Sequence, residues 1–340
     1  MTGLIVHRVG PACTLQDMGR PGYLEQGLSC GGAADPMAQA EGAALLRQSP
    51  CLASLEMAGM GGEFEAIGDL RIALTGAPMS AAIDGAAVAW NACHALQKGQ
   101  RLSIGAVRTG AYGYLHLGGG IDAPDLLGSR SAHLLAGLGG MVQAGEILKA
   151  GADSQKVTGL VLTVANRFTG GTVRIVPSVQ TALFASDVLA RFEATDFSRG
   201  ARANRMGAQM MSEGDGFAAQ GQLNILSEVI VPGDIQMTGD GKPFVLLPEC
   251  QTTGGYPRIG TVIPCDLPSV AQASAGAPLR FIFVTQDEAL AAQNRYETAL
   301  KALPGACYPL VRDVAGIADL LSYQLISGMI SAHTIPGETE

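Results

Sequence analysis

Along most of the chain the hydrophobic positions fall in short runs bounded by Gly, Asp or Pro, the pattern of β-strands packed in a barrel or sandwich. Such runs cover Arg71 to Leu74, Arg101 to Ile104, Tyr112 to Leu117, Val157 to Val164, Thr172 to Val176, Phe244 to Leu247 and Leu279 to Val284. Helical spacing is restricted to Pro36 to Arg47, Ser186 to Phe192, Glu288 to Leu303 and a last segment from Val311 to Ile330. In that last segment Val311, Val314, Ile317, Leu320, Leu321, Leu325, Ile326, Met329 and Ile330 recur at steps of three and four and make one apolar stripe. Such stripes face a core more often than a partner, so the segment is expected to close over the molecule's own barrel.

The strand pattern also repeats. Leu55-Glu56 leads through Gly68-Asp69 to a strand ending at Leu74 and on to Gly99-Gln-Arg-Leu-Ser-Ile. Ser227-Glu228 leads through Gly239-Asp240 to a strand ending at Leu247 and on to Gly276-Ala-Pro-Leu-Arg-Phe. A repeat of this kind predicts two similar β-barrels packed together, with a boundary between Ala150 and Val173. The expected fold is therefore mainly β: two tandem barrel subdomains over 1–160 and 161–290, a few short helices, and a helical C-terminal extension over 291–340.

Composition agrees with that pattern and narrows the partners. The 46 glycines and 17 prolines among 340 residues suit a fold with many turns, since each glycine inside a helix costs about 1 kcal/mol. With 47% apolar and 15% charged residues the chain can bury substantial cores. A net charge of −8 disfavours nucleic acid and anionic membranes, which require a basic surface, and leaves small molecules and proteins as partners. Seven cysteines without a Cys-x-x-Cys pair read as buried thiols of a reducing compartment. The amino terminus lacks a signal-peptide pattern, so the cytoplasm is the expected location.

Several catalytic classes lack their motifs. There is no Gly-x-x-x-x-Gly-Lys-Ser/Thr phosphate loop, because Gly241-Lys242 is followed by Pro243, so ATP is not expected to be held here in that manner. No His-Glu-x-x-His pair occurs, and the five isolated histidines announce no metal site.

Four polar segments remain. In the first, Thr14 to Tyr23 followed by Gly31 to Pro36, Asp35-Pro36 supplies a helix N-cap, while Arg20 either grips an anion or pairs with Asp17 to pin the loop. The second, Gly118-Gly-Gly-Ile-Asp122 with Leu127-Gly-Ser-Arg-Ser131, offers Ser129, Arg130 and Ser131 to an anion or forms a glycine-rich barrel corner. The third, Pro248-Glu-Cys-Gln-Thr-Thr-Gly-Gly-Tyr-Pro257, is the most distinctive. Gly254-Gly255 allows a turn that frees Gln251, Thr252, Thr253 and Tyr256 to face a cleft, and such neutral donors and acceptors suit an amide or lactam. A turn bonded within itself would use the same groups. The fourth, Arg202-Ala-Asn-Arg-Met-Gly207, brings Asn204 and Arg205 either to an acidic ligand or to a solvated face.

These segments, with Leu74-Thr-Gly-Ala77, Gly137-Leu-Gly-Gly140, Ser227-Glu228, Val231-Pro-Gly233 and Ile235-Gln236, resemble the allophanate hydrolase subunit 2 family, also described as biotin-dependent carboxyltransferases. The matches run in order from about residue 3 to residue 284. The resemblance implies two cyclophilin-like barrel subdomains and work with a partner resembling allophanate hydrolase subunit 1. It implies one of two activities: ATP-driven opening of 5-oxoproline to glutamate beside a lamB-like A subunit, or carboxyl transfer from carboxybiotin to urea. A regulatory role limited to binding the subunit 1-like partner is the reading from another class. No lysine lies in a biotin-attachment motif, so any biotin is expected on another chain, ATP is expected at the level of the complex, and no metal is expected. On this reading Gln251, Thr252, Thr253 and Tyr256, with Asn204, hold the amide, and Arg20, Arg130 or Arg205 meets a carboxylate or phosphate. Asp35 and Glu228 are the candidate proton acceptors beside Gln251.

Overall fold

The computed structural model describes residues 2–201, 203–219 and 226–311, so the helix expected over Val311 to Ile330 lies outside the described residues from 312 onward. In the first half the alternating strands form two sheets. One has the order Ile147–Lys149, Gly3–Val9, Gly62–Ala66, Arg101–Val107, Met79–Ile83, Ala86–Ala87; the other runs Cys13–Gln16, Ser54–Ala58, Tyr112–Leu117, Leu70–Gly76, Ala92–Leu96, Leu160–Val161, Tyr308–Pro309. Gly62–Ala66 shows the one-sided alternation of a strand with a single buried face, and its Phe64 points into the core between the sheets beside Leu4, Met57, Leu74 and Leu115. Tyr112–Leu117 is buried at all six positions because it has a neighbour on each edge and is covered on both faces.

That cover comes from helix α1, Pro36–Leu46, whose small residues let it lie close to the sheet. Its Gly42 leaves no room for a side chain: a Cβ there would sit 2.2 Å from His116 Nε2. Asp35 caps α1 as expected, accepting the Ala38 N–H at 3.1 Å, with Pro36 at the first helical position.

The second half is a closed seven-stranded barrel in the order Gly171–Val176, Arg258–Val262, Asp234–Met237, Pro243–Leu246, Gly207–Met211, Phe197–Arg199, Pro278–Phe283. Parallel pairing of Gly171 with Leu279 through Ile175 with Phe283 closes the ring. Helix α2, Ser186–Ala194, sends Phe192 inward, where it meets Phe197, Phe217 and Phe281 with ring centroids 5.0 to 5.5 Å apart. Tyr112 and Tyr114 of the first half belong to the same hydrophobic cluster, so the barrel core continues into the seam between the halves.

The mainly β expectation holds, with a closed barrel in the second half. Three differences are local. Of the strand expected over Val157 to Val164 only Leu160–Val161 forms. A six-residue helix, α3 at Leu267–Gln272, follows the turn at Pro264–Asp266 where no helix was expected. Helix α4 runs Gln286–Ala306, opens with a capping box between Thr285 and Glu288, and delivers the chain back to the first half at Tyr308–Pro309.

Candidate functional site

A buried charge needs a partner, and the seam between the halves is built on that requirement. Arg205 of the barrel half donates to Glu249 at 2.5 Å, to Glu56 of the first half, and to the Gly32 carbonyl at 2.5 Å. Glu56 is completed by Tyr114 Oη at 2.7 Å and the Ala34 N–H at 2.8 Å. Nearby, Arg167 donates to Asp35 at 2.6 Å and to both oxygens of Glu41 at 2.9 and 2.7 Å, while Gln272 of α3 donates to Asp35 at 2.9 Å. Burial pulls the Arg205 and Arg167 guanidinium groups down, but the opposing carboxylates outweigh it and hold both above the ordinary arginine range.

These pairs place the Pro248 to Pro257 turn. The Pro248 carbonyl accepts the Gly31 N–H at 3.1 Å, Glu249 is gripped by Arg205, and its second oxygen accepts the Leu134 N–H at 2.9 Å. The turn beyond is thereby clamped at the seam. A cavity of about 380 Å³ opens there, lined by Gly27, Leu28, Ser29, His133, Leu135 and Ala136 from one half and Cys250, Gln251, Thr252 and Thr253 from the other. A second cavity of about 350 Å³ at the barrel mouth is lined by Asn204, Gln236, Gln251 and Tyr256 among apolar neighbours. Gln251 borders both. Among the described residues the side chains of Gln251, Thr252, Thr253 and Tyr256 make no hydrogen bond, so the turn does not consume them internally.

Gly254 lets the Gln236 side chain come close: a Cβ there would lie 2.5 Å from its Nε2. That Nε2 is buried and makes no hydrogen bond among the described residues. Gln236 is a cavity residue that the sequence marks only as part of the Ile235-Gln236 match, with no role attached. Ser29 and His133 also line a cavity and meet at 2.8 Å across 104 residues of sequence. Ser29 stands at the centre of Gly27-Leu-Ser-Cys-Gly31, a Gly-x-Ser-x-Gly spacing that could have singled it out, but this stretch follows the 3-10 turn Leu24–Gln26 and opens no helix, unlike a nucleophile elbow, and nothing local points to His133.

The remaining candidates fall elsewhere. Arg205 is neither on a solvated face nor free for an acidic ligand; it is spent on Glu56 and Glu249. Asp35 is wholly buried, with Oδ1 on the helix cap and Oδ2 on Arg167 and Gln272, the place of a scaffold carboxylate and not of an open base. Glu228 lies on the barrel flank, paired with Arg258 at 2.5 Å and with Gln180 at 3.0 Å. Arg20 does not pair with Asp17. It donates to the carbonyls of Leu126, at 3.2 Å, and Ser131, and its Nη1 is buried without a hydrogen bond among the described residues. Asp17 instead takes the hydroxyls of Ser129, at 2.6 Å, and Ser131, at 2.5 Å, with the Arg130 N–H at 2.7 Å, so the first two polar segments form one unit. Arg130 lines a separate cavity of about 210 Å³ with Glu146 and sits 3.8 Å from Asp122.

Among the described residues no lysine or arginine lines either cavity bordered by Gln251. Uncharged donors and acceptors gathered from two β halves are the kind of lining that suits a small, planar, hydrogen-bonding molecule. Residues 26–283 match the family model for the carboxyltransferase domain, subdomain A and B, and the chain belongs to that family. The C subunit of 5-oxoprolinase from Escherichia coli (strain K12) is 33% identical over 308 residues, spanning 86% of this chain and 96% of that protein. The solved structure of TTHA0988 aligns with a TM-score of 0.75 at 26% identity, covering 83% of this chain and 56% of its own. The urea carboxylase of Kluyveromyces lactis aligns with a TM-score of 0.79 at 21% identity, covering 88% of this chain and 29% of its own, a likeness of fold. This chain thus spans about half, or less, of the length of the solved structures it matches.

Proposed function

We propose that the chain is the C-type component of an ATP-dependent 5-oxoprolinase complex and supplies the cleft that receives the lactam. The observation that supports this most is the Gln251 to Tyr256 turn, held at the seam with its side chains unspent, in a chain that matches a 5-oxoprolinase component over nearly that protein's whole length. A lactam presents a carbonyl oxygen and an N–H in one plane. Gln251 can donate to the first and accept from the second, and Thr252, Thr253, Tyr256 and Asn204 add donors around it. In this reading ATP is handled by the complex, on a partner resembling allophanate hydrolase subunit 1 or on a lamB-like A subunit, and this chain binds, orients and shields the amide. Location in the cytoplasm accompanies the reading; no helix among the described residues is long and apolar enough to cross a membrane.

The fold likeness to a urea carboxylase favours a second reading, carboxyl transfer to an amide from biotin borne by another chain. Both place a planar N–C=O group in the same cleft. Co-expression with the neighbouring subunits and an assay for ATP-dependent glutamate release from 5-oxo-L-proline decides between them: glutamate supports the first reading, and biotin-dependent carboxylation of urea without glutamate release replaces it. Turnover in a complex assembled without this chain would leave it a regulatory role.

A further inference from the structure

Ser29 and His133 both line the seam cavity, yet both are nearly fully buried, at 3% and 2% exposure, so each is fixed by its bonds and not by solvent. A serine 2.8 Å from a histidine invites the reading of a nucleophile and its base. The geometry around the ring argues against it. The loop from His133 to Leu138 closes on itself through His133 N–H to Leu138 O at 2.8 Å and Leu138 N–H to His133 O at 3.2 Å. This brings the Ala136 N–H to His133 Nδ1 at 3.3 Å, a bond it shares with the His133 carbonyl. An N–H directed at Nδ1 favours a lone pair there, the tautomer whose ring proton sits on Nε2 and donates to Ser29 Oγ.

We propose that Ser29 is a fixed hydrogen-bond donor to the ligand's carbonyl oxygen, that His133 is the positioning residue that fixes it, and that the pair is not a nucleophile and base. With one lone pair of Oγ occupied by the imidazole N–H, the Ser29 hydroxyl is free to turn its own proton into the cavity that Gln251, Thr252 and Thr253 share. A donor held in place before the reaction stabilises negative charge developing on the carbonyl oxygen. A neutral ring suits this purpose. Burial lowers its pKa from the ordinary histidine value and Arg20 and Arg205 act in the same direction, against Glu249 and the ring's contact with its own backbone carbonyl. Gly31 keeps the ring and Arg20 close: a Cβ there would lie 3.3 Å from His133 Cδ2 and 3.5 Å from Arg20 Nη1.

The assignment rests on the amide-cleft reading above, and the test separates the two. Long-range proton–nitrogen NMR spectra of the isolated chain, labelled at histidine, should show His133 neutral with its proton on Nε2 above the ordinary histidine value of about 6.5; a proton on Nδ1 overturns the proposal whatever the substrate. In the reconstituted complex with 5-oxo-L-proline and ATP, Ser29→Ala should lower kcat about 100-fold with little change in KM. His133→Gln, whose amide nitrogen can donate where Nε2 did, should retain most of the rate, whereas His133→Leu should fall with Ser29→Ala. Equal collapse of His133→Gln and His133→Leu would establish a base, and full activity of Ser29→Ala would remove the donor. A wild-type complex inert toward 5-oxo-L-proline defeats the functional reading and leaves the tautomer measurement to decide this one.

Discussion

Replacing Arg205 with Met tests the seam on which the cleft depends. Arg205 is only 9% exposed and its guanidinium makes three bonds, to Glu56, Glu249 and the Gly32 carbonyl, that tie the two halves together. Methionine fills similar volume but leaves two carboxylates, exposed by 1% and 2%, without their cation. Breaking a buried pair from one side costs about 3–5 kcal/mol. Glu56 keeps Tyr114 and Ala34, and Glu249 keeps Leu134, so a loss of about 3–4 kcal/mol is expected, or a Tm lower by about 8 °C. The triple variant with Glu56→Gln and Glu249→Gln should recover part of it. Urea unfolding of the isolated chain, followed by circular dichroism, reads both effects. A loss below about 1 kcal/mol, the size of an exposed pair, would refute the reasoning.

Gly42→Ala should destabilise despite alanine's better helix propensity, by about 1–3 kcal/mol, since the added methyl meets the buried ring of His116; a gain in the urea midpoint would contradict this packing. Burial pushes His116 down to about 3, from an ordinary value near 6.5. The unfolded chain therefore binds the extra proton first, and this contribution, complete above about pH 6.5, is lost as pH falls toward 3. His116→Gln should flatten that part of the stability profile, and an unchanged slope would discount the residue. Glu228→Gln should change stability by less than about 1 kcal/mol, its bridge to Arg258 being half exposed on the glutamate side, and should leave turnover of the complex near wild type. Arg130→Ala should likewise spare turnover, because Arg130 borders a different cavity from Gln251; loss of activity would bring it back to the site.

What the sequence disclosed follows the range of the interactions involved. Helices α1, α2 and α4 and strands such as Tyr112–Leu117 are written in local periodicity and caps, and they form within a few residues of expectation. Helix α3 escapes because six residues opening Leu267-Pro268 are too few to display a 3.6-residue period. The Gln251 to Tyr256 turn was legible because polar side chains beside paired glycines are conspicuous after a strand. The roles of Arg205, Asp35 and Arg20 were not, since Arg205 finds Glu56 across 149 residues and Asp35 finds Arg167 across 132. Charge alone does not distinguish a ligand-seeking arginine from one that locks two halves together. His133 looked like any isolated histidine until folding set it against Ser29.

Whether Gln251 faces a ligand decides the function proposed for the cleft. ATP-dependent glutamate release from 5-oxo-L-proline by the reconstituted complex, compared between the wild-type chain and Gln251→Ala, measures this most directly. A fall of about 100-fold in a variant that unfolds at the wild-type urea concentration is the predicted result; undiminished release by that variant would contradict it.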